Sequence, residues 1–327
     1  MKETQQINDK RYQFQSKIKI HDDSVMCVII LKDSRYASSS CDKTIKIFNK
    51  TTYKIDITIL EHKDYVAYIY QLKDEKLVSS SSDNTIKIFQ LFKNSYNVVQ
   101  ILTGHSKPVK QTIELINGSL VSCSWDKTIK IWNKNNKNLY NISLQFQEMM
   151  EICSVFEINE KEFMSLSVNV TDQEENRAIS FYSNKNGEFD IENIIDNLEF
   201  SGFQSNVVKI DEKYLFLGGE EKIYFIDINK HSIHTIYDLN KNLWVQSLCL
   251  LNDGNIMVGA EFNLFVFKII DNNLELIFEL ENIQKNNNII DNGVISSIRE
   301  DLNKNIIISL YNGEIKVFSP KIKIHKI

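Results

Sequence analysis

Three stretches of the sequence repeat one another without a gap, and this internal repeat constrains the fold more than any other feature. They read SSSCDKTIKIF at Ser38–Phe48, SSSSDNTIKIF at Ser79–Phe89 and SCSWDKTIKIW at Ser122–Trp132. A short apolar segment precedes each stretch, and each has a histidine further upstream: His21, His62 and His105. A chain that repeats in this way folds into copies of one structural unit that pack on their neighbours.

Fainter copies of this unit run through the rest of the chain. The last large residue of each unit recurs after 41, 43, 50, 44, 41 and 51 residues, at Phe48, Phe89, Trp132, Tyr182, Ile226, Phe267 and Phe318. Within the units, apolar and polar residues alternate as in β-strands. A period of roughly 40–45 residues with four short strands is typical of β-propellers. The sequence therefore predicts an all-β fold, a seven-bladed β-propeller of four-stranded antiparallel blades.

Glycine and proline are scarce for such a fold, with 10 and 2 residues among 327. The turn positions instead hold Asp, Asn, Lys and Ser, as at Asp42-Lys43 and Asp83-Asn84. Asn and Asp tolerate left-handed turn conformations and bond their own backbone. The composition is therefore compatible with many tight turns.

The repeats resemble those of the WD-repeat β-propeller family, closely over Lys17–Leu139 and faintly but in phase over Leu144–Ser319. The family pattern is Gly-His, a strand, Ser-x-Ser-x-Asp-x-Thr and then Ile-Lys-x-Trp-Asp. The resemblance implies hydrogen bonds from the turn Asp to the His, and onward to a strand Ser and the Trp, which fix loops on one face of the blade. The matching residues are His21 and Asp42, His62 and Asp83, and His105, Asp126 and Trp132.

Other blades depart from the family pattern. Phe48 and Phe89 replace the tryptophan, so we expect the hydrogen-bond chain to end early in the first two blades. The Asp position becomes Glu220, Glu261 and Asn312 in the last three blades, and no histidine precedes them at the matching place. We expect those blades to rely on packing alone.

We expect residues 12–320 to form one propeller between a flexible N-terminal segment (1–11) and a C-terminal tail (321–327). In the family, the ring closes when one terminus lends a strand to the other. The resemblance thus implies that residues 12–20 complete the last blade beside Glu314–Ser319. The C-terminal tail is the alternative occupant of that edge.

Two segments of the fourth unit do not follow the repeat. Val168–Arg177 (VNVTDQEENR) is acidic and polar, and we expect it to form an inserted loop. Ile191–Phe200 comes nearest to a helical period, and we expect a loop or a single turn there.

The sequence holds no motif for catalysis, a metal or a cofactor. It has no Walker loop and no HExxH, GxSxG or GxGxxG pattern, and its five cysteines form no CxxC pair. The His, Asp and Ser residues match a hydrolase triad in composition only, because a set that recurs in three blades is a structural element. We therefore expect no enzymatic activity, no cofactor and no metal.

Charge is unevenly spread along the chain, whose net charge is −5. Residues 1–147 carry 22 Lys and Arg against 14 Asp and Glu, whereas residues 148–327 carry 16 against 29. These are either two solvated surfaces or a basic sector that attracts an acidic partner. Only four arginines and the negative net charge argue against nucleic acid as a partner.

The sequence also bears on where the chain acts. No apolar run is long enough to span a membrane. The scattered thiols and the absence of an export signal indicate an intracellular location, cytoplasmic rather than nuclear. We expect a monomeric propeller that works in a multiprotein complex.

Propellers usually bind partners through the face that carries the loops before each inner strand and the turns after each second strand, called the top face below. Large aromatic residues fall at these positions although other blades place Ser or Gly there: Tyr65, Trp125, Phe203, Trp244 and Tyr311. We expect them to ring the mouth of the central channel, with Lys110 adding positive charge for an acidic peptide. Tyr and Trp are frequent interface hot spots. The alternative is that these residues pack between blades.

The sequence thus predicts a non-catalytic scaffold or adaptor that binds peptide or protein partners on the top face. One alternative is a recognition module for a modified or ubiquitin-like partner, such as a substrate receptor for ubiquitin ligation. The other alternative is a propeller enzyme.

Overall fold

The chain forms a closed ring of β-sheets. The computed structural model describes residues 12–170, 175–185, 188–199, 207–239, 243–270, 273–280 and 294–320. These residues contain no helix, and their 28 strands form seven four-stranded antiparallel sheets. Neighbouring sheets contact through their inner strands at six junctions of the ring, and a shared hydrophobic cluster joins the fourth blade to the fifth. The predicted seven-bladed propeller is confirmed.

Each blade runs from an inner strand at the channel to an outer strand. The first three blades are β2 (Val25–Ile30), β3 (Tyr36–Ser40), β4 (Ile45–Phe48) and β5 (Ile55–Ile59); β6 (Val66–Gln71), β7 (Leu77–Ser81), β8 (Ile86–Leu91) and β9 (Tyr96–Leu102); and β10 (Val109–Glu114), β11 (Leu120–Ser124), β12 (Thr128–Lys134) and β13 (Tyr140–Gln147).

The next three are β14 (Glu151–Asn159), β15 (Glu162–Val170), β16 (Glu175–Lys185) and β17 (Glu188–Ile195); β18 (Val207–Lys209), β19 (Tyr214–Gly218), β20 (Lys222–Asp227) and β21 (Ser232–Asp238); and β22 (Val245–Leu250), β23 (Ile256–Ala260), β24 (Asn263–Ile270) and β25 (Asn273–Leu280). Blade 7 combines β26 (Ile295–Glu300), β27 (Ile306–Leu310) and β28 (Glu314–Pro320) with β1 (Tyr12–Lys19).

The N-terminal strand closes the ring, as predicted. β1 pairs with β28 antiparallel, from Tyr12 opposite Pro320 to Lys19 opposite Glu314. An ion pair of 2.8 Å between Lys17 and Glu314 lies on this seam. Pairing the two ends of the chain leaves no loose junction between the first and last blades. The segments 1–11 and 321–327, including the competing tail, lie outside the described residues.

A bulge recurs near the top of the inner strands. In six blades the pairing of the inner strand with its neighbour skips one residue, after the first pair in five blades and after the second pair in blade 4. The skipped residues are Met26, Ala67, Lys110, Cys153, Gln246 and Ser296. A bulge re-aims one side chain and increases the local twist. These six residues therefore have a common place at the channel mouth, and their types vary freely from blade to blade.

Hydrophobic packing between blades forms the core. The largest cluster joins residues of the first four blades, from Cys27 and Ile69 to Val155 and Phe163. Phe48 and Phe89, at the tryptophan position, are fully buried. Phe48 meets Tyr36 edge-on, with ring centroids 5.6 Å apart, a favoured arrangement for aromatic pairs.

Polar contacts also link adjacent blades at the end of the channel opposite the mouth. In five blades a side chain at or near the end of the inner strand bonds the backbone of the preceding blade. These contacts are Lys32 N to Gln71 (2.8 Å), Lys73 N to Glu114 (2.6 Å), Ile116 N to Glu157 (2.5 Å), Asn252 N to Glu300 (2.5 Å) and Lys209 Nζ to Ile158 O (2.9 Å). Blade 7 meets blade 1 through Tyr36 Oη and Asp301, 2.8 Å apart.

Blade 4 departs from two of the sequence predictions. Val168–Arg177 is not a simple inserted loop, because β15 and β16 extend into it and pair as far as Val170 opposite Glu175. The segment Ile191–Phe200 was expected to be a loop or turn, but residues 191–195 belong to the outer strand β17. Backbone pairing with β16 overrides the weak helical period of these residues.

Candidate functional site

The first three blades carry matching polar sets on the top face. In each, the His Nδ1 lies near the turn Asp and the Nε2 near a strand Ser. The distances are 2.8 and 2.8 Å for His21 with Asp42 and Ser38, 2.8 and 2.6 Å for His62 with Asp83 and Ser79, and 2.9 and 2.8 Å for His105 with Asp126 and Ser122. Each carboxylate also accepts a backbone N–H from the residue after the histidine. The Asp thus ties its own turn to the preceding loop.

Blade 3 has the longest chain of hydrogen bonds. The Trp132 indole N–H donates to Ser122 Oγ at 2.8 Å, so the Ser122 hydroxyl is oriented to donate to His105 Nε2. Neutral His105 then donates from Nδ1 to Asp126, and every polar atom is satisfied. In blades 1 and 2, phenylalanine replaces tryptophan and no indole is available, so the chain stops at the serine.

Burial and hydrogen bonding set the ionisation of these groups. Burial lowers the pKa of His21 and His105, although the neighbouring carboxylates act in the opposite direction. Burial by itself would raise the pKa of Asp42, Asp83 and Asp126. Hydrogen bonds from the His and Thr side chains outweigh it and hold each pKa well below the usual range. In blades 1 and 3, the stable form of the set at neutral pH is thus a carboxylate bonded to a neutral imidazole.

These sets differ from a catalytic triad in accessibility. Ser38, Ser79 and Ser122 are 0% exposed, so no substrate reaches the serine oxygen. A nucleophile must lie within reach of the bond it attacks. The sets serve to hold loops together.

The turns of blades 5 and 6 explain why the Asp is lost there. In blade 1, three residues separate the paired Ser40 and Thr44, and Asp42 accepts the Thr44 N–H at 3.0 Å. In blade 5, only two residues separate the paired Gly219 and Lys222, whose backbones close the turn alone at 2.8 Å. The assignment of Glu220 and Glu261 to the Asp position was therefore wrong, since a turn shorter by one residue has no such position.

Blade 7 keeps the longer turn. Asn312 lies where the Asp would be, and its Oδ1 accepts the Glu314 N–H at 3.2 Å. The amide thus caps the turn without a histidine partner. Packing alone is not what fixes this turn.

Blade 4 contains a polar set of a different composition. Glu148 lies 17 residues before Ser165, the spacing that separates each His from its Ser in blades 1–3. Its carboxylate accepts the Ser165 hydroxyl at 2.5 Å and also the Tyr182 hydroxyl. Tyr182 stands where blade 3 has Trp132. Sequence reasoning missed this set because it searched for histidine, although the 17-residue spacing could have revealed it.

At the channel mouth, Lys110 and Trp125 form a pair. Lys110 is the bulged residue of β10, and its Nζ lies 4.4 Å from the centroid of the Trp125 ring. Burial raises the pKa of Cys41 and Cys153 to about 11 each, and the Lys110 charge offsets part of the rise at both thiols. The ammonium group therefore acts on blades 1 and 4 as well as on its own blade.

A second cation lies over the second tryptophan. The Arg177 guanidinium, in β16, is 4.9 Å from the Trp244 ring centroid. Cation–π contacts of this kind hold a charge and a flat apolar surface together. Arg177 was not predicted from the sequence, because it meets Trp244 only through the packing of different blades. Gln246 follows the first residue of its inner strand, as Lys110 does, so the repeat register already places it at the mouth.

Among the residues that the structure describes, the buried polar atoms at this mouth that lack a hydrogen-bond partner include Trp125 Nε1 and Gln246 Oε1. One is a donor and the other is an acceptor. Buried polar groups without a hydrogen bond are rare in folded proteins, because each unsatisfied group costs about 1–3 kcal/mol.

The remaining predicted mouth residues have separate surroundings. Tyr65 is half-buried, and its carbonyl accepts the Ser82 N–H at 3.0 Å. Tyr311 is also half-buried, its carbonyl accepts the Ser24 hydroxyl at 2.6 Å, and burial raises the pKa of its phenol. Phe203 lies outside the described residues. A backbone bond from each turn residue to the residue before the inner strand, as from Trp125 N to Pro108 O at 3.1 Å, places these positions together.

In the part of the chain that the structure describes, no group of three or more His, Cys, Asp or Glu is placed to hold a metal ion. No helix in the same residues is long and apolar enough to cross a membrane. The five cysteines are free thiols.

Comparisons with known proteins agree with the fold. Residues 12–49 and 96–133 match the family model described as WD domain, G-beta repeat. Among solved structures, the WD40 β-propeller domain of Doa1 superposes with a TM-score of 0.70 at 20% sequence identity, covering 95% of this chain and 98% of that chain. At this identity the likeness shows the fold alone. No curated protein matches the sequence significantly.

Proposed function

We propose that this WD40-repeat propeller is a non-catalytic scaffold or adaptor that binds protein or peptide partners at the mouth of its channel. The observation that carries the proposal is the paired arrangement of Lys110 with Trp125 and Arg177 with Trp244 on the top face. Protein binding is the general role of WD40 propellers. Fold alone does not assign a function, so the proposal rests on these side chains.

The chemistry of the mouth fits an acidic extended peptide. Lys110 and Arg177 supply positive charge, and the tryptophan rings supply flat apolar contact area. Trp125 Nε1 can donate to a peptide carbonyl, and Gln246 Oε1 can accept a peptide N–H. A backbone that offers both groups therefore satisfies the two buried atoms at once.

Affinity purification from native extract, followed by mass spectrometry, tests the proposal. The wild type is compared with a Trp125→Ala/Trp244→Ala double variant. Truncating hot-spot tryptophans costs about 2 kcal/mol or more each, so stoichiometric partners of the wild type should be lost. Phe92→Ala is the matched control, because Phe92 is 47% exposed on the hairpin between β8 and β9, away from the mouth.

Two outcomes would overturn the mouth proposal. One is that the wild type recovers no stoichiometric partner. The other is that the double variant recovers the same partners as the wild type and Phe92→Ala. Titration with mono-ubiquitin in the same series separates the alternative of a ubiquitin-like partner.

The absence of catalysis is a separate part of the proposal. The buried serines of the polar sets support it, because they cannot attack a substrate. A panel of hydrolase substrates, with and without added divalent metal, should give no turnover. Turnover that co-purifies with the wild type and falls in a point variant of this chain would contradict it.

A further inference from the structure

A cavity of about 420 Å³ opens on the side of blade 4. It lies under the loop that joins β13 to β14 and beside the outer strand β17. Apolar side chains and two carboxylates surround it: Met149, Met150, Ile191, Ile194, Glu148 and Asp196. None of these residues belongs to the channel mouth.

The cavity occupies the space that the polar set fills in blade 3. Ala178 lies where blade 3 has Thr128, since Tyr182 opposite Phe163 corresponds to Trp132 opposite Leu120. The β15–β16 hairpin runs on past the point where blade 3 makes its Asp126 turn. The imidazole, the Thr side chain and the turn carboxylate are thus all missing from blade 4 at this place. Small side chains line the vacated space, among them Ser167, Ala178 and Ser180.

Glu148 places a carboxylate at the base of this space. The residue is only 9% exposed, and its Oε1 accepts hydrogen bonds from Ser165 and Tyr182. Among the residues that the structure describes, no Lys, Arg or His forms an ion pair with Glu148, and none donates a hydrogen bond to its Oε2. A buried carboxylate without a cation is costly, so its environment favours a bound positive charge.

The apolar side chains around the cavity indicate that the ligand also has an apolar part. Ile191 and Ile194 are 50% and 53% exposed, and Met149 is 88% exposed. Lys and Arg side chains combine an apolar stem with a cationic head, and they bury the stem along apolar surface. Asp196, exposed at the rim, adds a second negative charge.

We propose that this cavity binds a lysine or arginine side chain of a protein partner. The stem lies against the methionine and isoleucine side chains, and the head donates to Glu148. Among the strands that the structure describes, β17 is the edge strand of its sheet, so the partner's backbone can extend along it. This site goes beyond the proposed function, since it requires none of the mouth residues and selects the opposite charge in the partner.

Fluorescence anisotropy with labelled peptide pools tests the inference on the purified full chain. The pools are nine residues long with neutral flanks and a central Lys, Arg, norleucine or Glu. Norleucine keeps the apolar stem of lysine and removes the charge. The Lys and Arg pools should bind at least about tenfold more tightly than the norleucine pool, the effect of a charge-assisted hydrogen bond.

Glu148→Gln is the decisive variant, because the amide oxygen still accepts from Ser165 and Tyr182 while the charge is gone. It should reduce the preference for Lys and Arg over norleucine at least about tenfold without lowering the melting temperature appreciably. Ala178→Met fills the cavity and should abolish binding with Glu148 intact. Glu212→Gln, an exposed carboxylate whose side chain is 89% accessible, is the matched control and should bind as the wild type does.

Equal affinity for the norleucine and Lys pools would overturn the inference. So would a preference for Lys that persists in Glu148→Gln or in Ala178→Met. Because the pools are presented to the pure protein, such a failure leaves the result of the mouth experiment untouched.

Discussion

Blades 3 and 4 form the same four-stranded sheet but place different polar side chains at the same position. Blade 3 sets a neutral His105 between Asp126 and Ser122. Blade 4 replaces the imidazole with Glu148, which leaves a carboxylate beside a cavity. Strand pairing and the alternation of buried residues therefore suffice to make a blade. The polar set determines whether the loops above it are tied together or leave a site open.

The same contrast extends to the whole ring. Blades 1–3 tie the top loops with Asp carboxylates, whereas blades 5 and 6 close shorter turns through the backbone. The mouth combines side chains from both regions, with Trp125 in a tied blade and Trp244 before blade 6. Removing these carboxylate ties, together or singly, measures how much they contribute to the free energy of unfolding.

Acidification should break all three sets together and have the largest effect. The pKa values of His21 and His105 are lowered in the fold, so below about pH 6.5 the unfolded chain takes up protons first and stability falls. The pKa values of Asp42, Asp83 and Asp126 are also lowered, so their contribution is present above about pH 4 and is lost as pH falls further. Urea unfolding between pH 7.5 and 3.5 should show both losses.

Removing one set should cost less than acidification. His105→Ala leaves the Asp126 carboxylate and the Ser122 hydroxyl without their partner, and we expect about 3 kcal/mol of destabilisation. His234→Ala in blade 5 is the matched control, because His234 is exposed, and it should change stability by under about 0.5 kcal/mol. Equal losses in the two variants would remove the distinction between the regions.

Shortening the chain of hydrogen bonds in blade 3 should destabilise the fold less than the removal of His105. Trp132→Phe gives blade 3 the composition of blades 1 and 2, and it removes the indole N–H bond to Ser122 but leaves His105 in place. We expect a loss of about 1–2 kcal/mol from the hydrogen bond and the reduced volume. Denaturant midpoints measured with an unchanged m-value would show this, and a loss as large as that of His105→Ala would contradict the chain model.

Changing a turn residue of blade 6 should have the smallest effect. Glu261 lies in a two-residue turn between Ala260 and Asn263, with no ties to a histidine. Glu261→Asn should change stability by under about 0.5 kcal/mol, since Asn tolerates the positive φ of 49° at this position. Asp83→Asn in blade 2 is the comparison, and it should cost more because the charged acceptor of His62 is lost.

Much of the fold could be predicted from the sequence, since repeat spacing and strand periodicity are local signals. The seven blades followed from them, whereas closure through β1 was implied by the resemblance to WD-repeat propellers. Glu148 could not be predicted in this way, because it occupies the repeat position of the histidines with a different residue type. The shorter turns at Glu220 and Glu261 could not either, because one missing residue in a turn cannot be located without the pairing register.

The candidate sites were harder to predict from the sequence than the fold was. Lys110 lies in β10 and Trp125 lies 15 positions later in the turn after β11, so their neighbourhood could be anticipated from the blade pattern. Arg177 and Trp244 lie in different blades, and only the ring geometry brings them together. The cavity at Glu148 depends on what is missing from blade 4, which no motif describes.

Amide hydrogen exchange, resolved by residue, most directly tests the central claim that Asp carboxylates tie the top loops of blades 1–3. The amides of Asp22, Lys63 and Ser106 donate to these carboxylates. At pH 7 all three should be protected, and His105→Ala should release Ser106 while Asp22 and Lys63 stay protected. Fast exchange of all three in the wild type, or unchanged protection of Ser106 in the variant, would contradict the account.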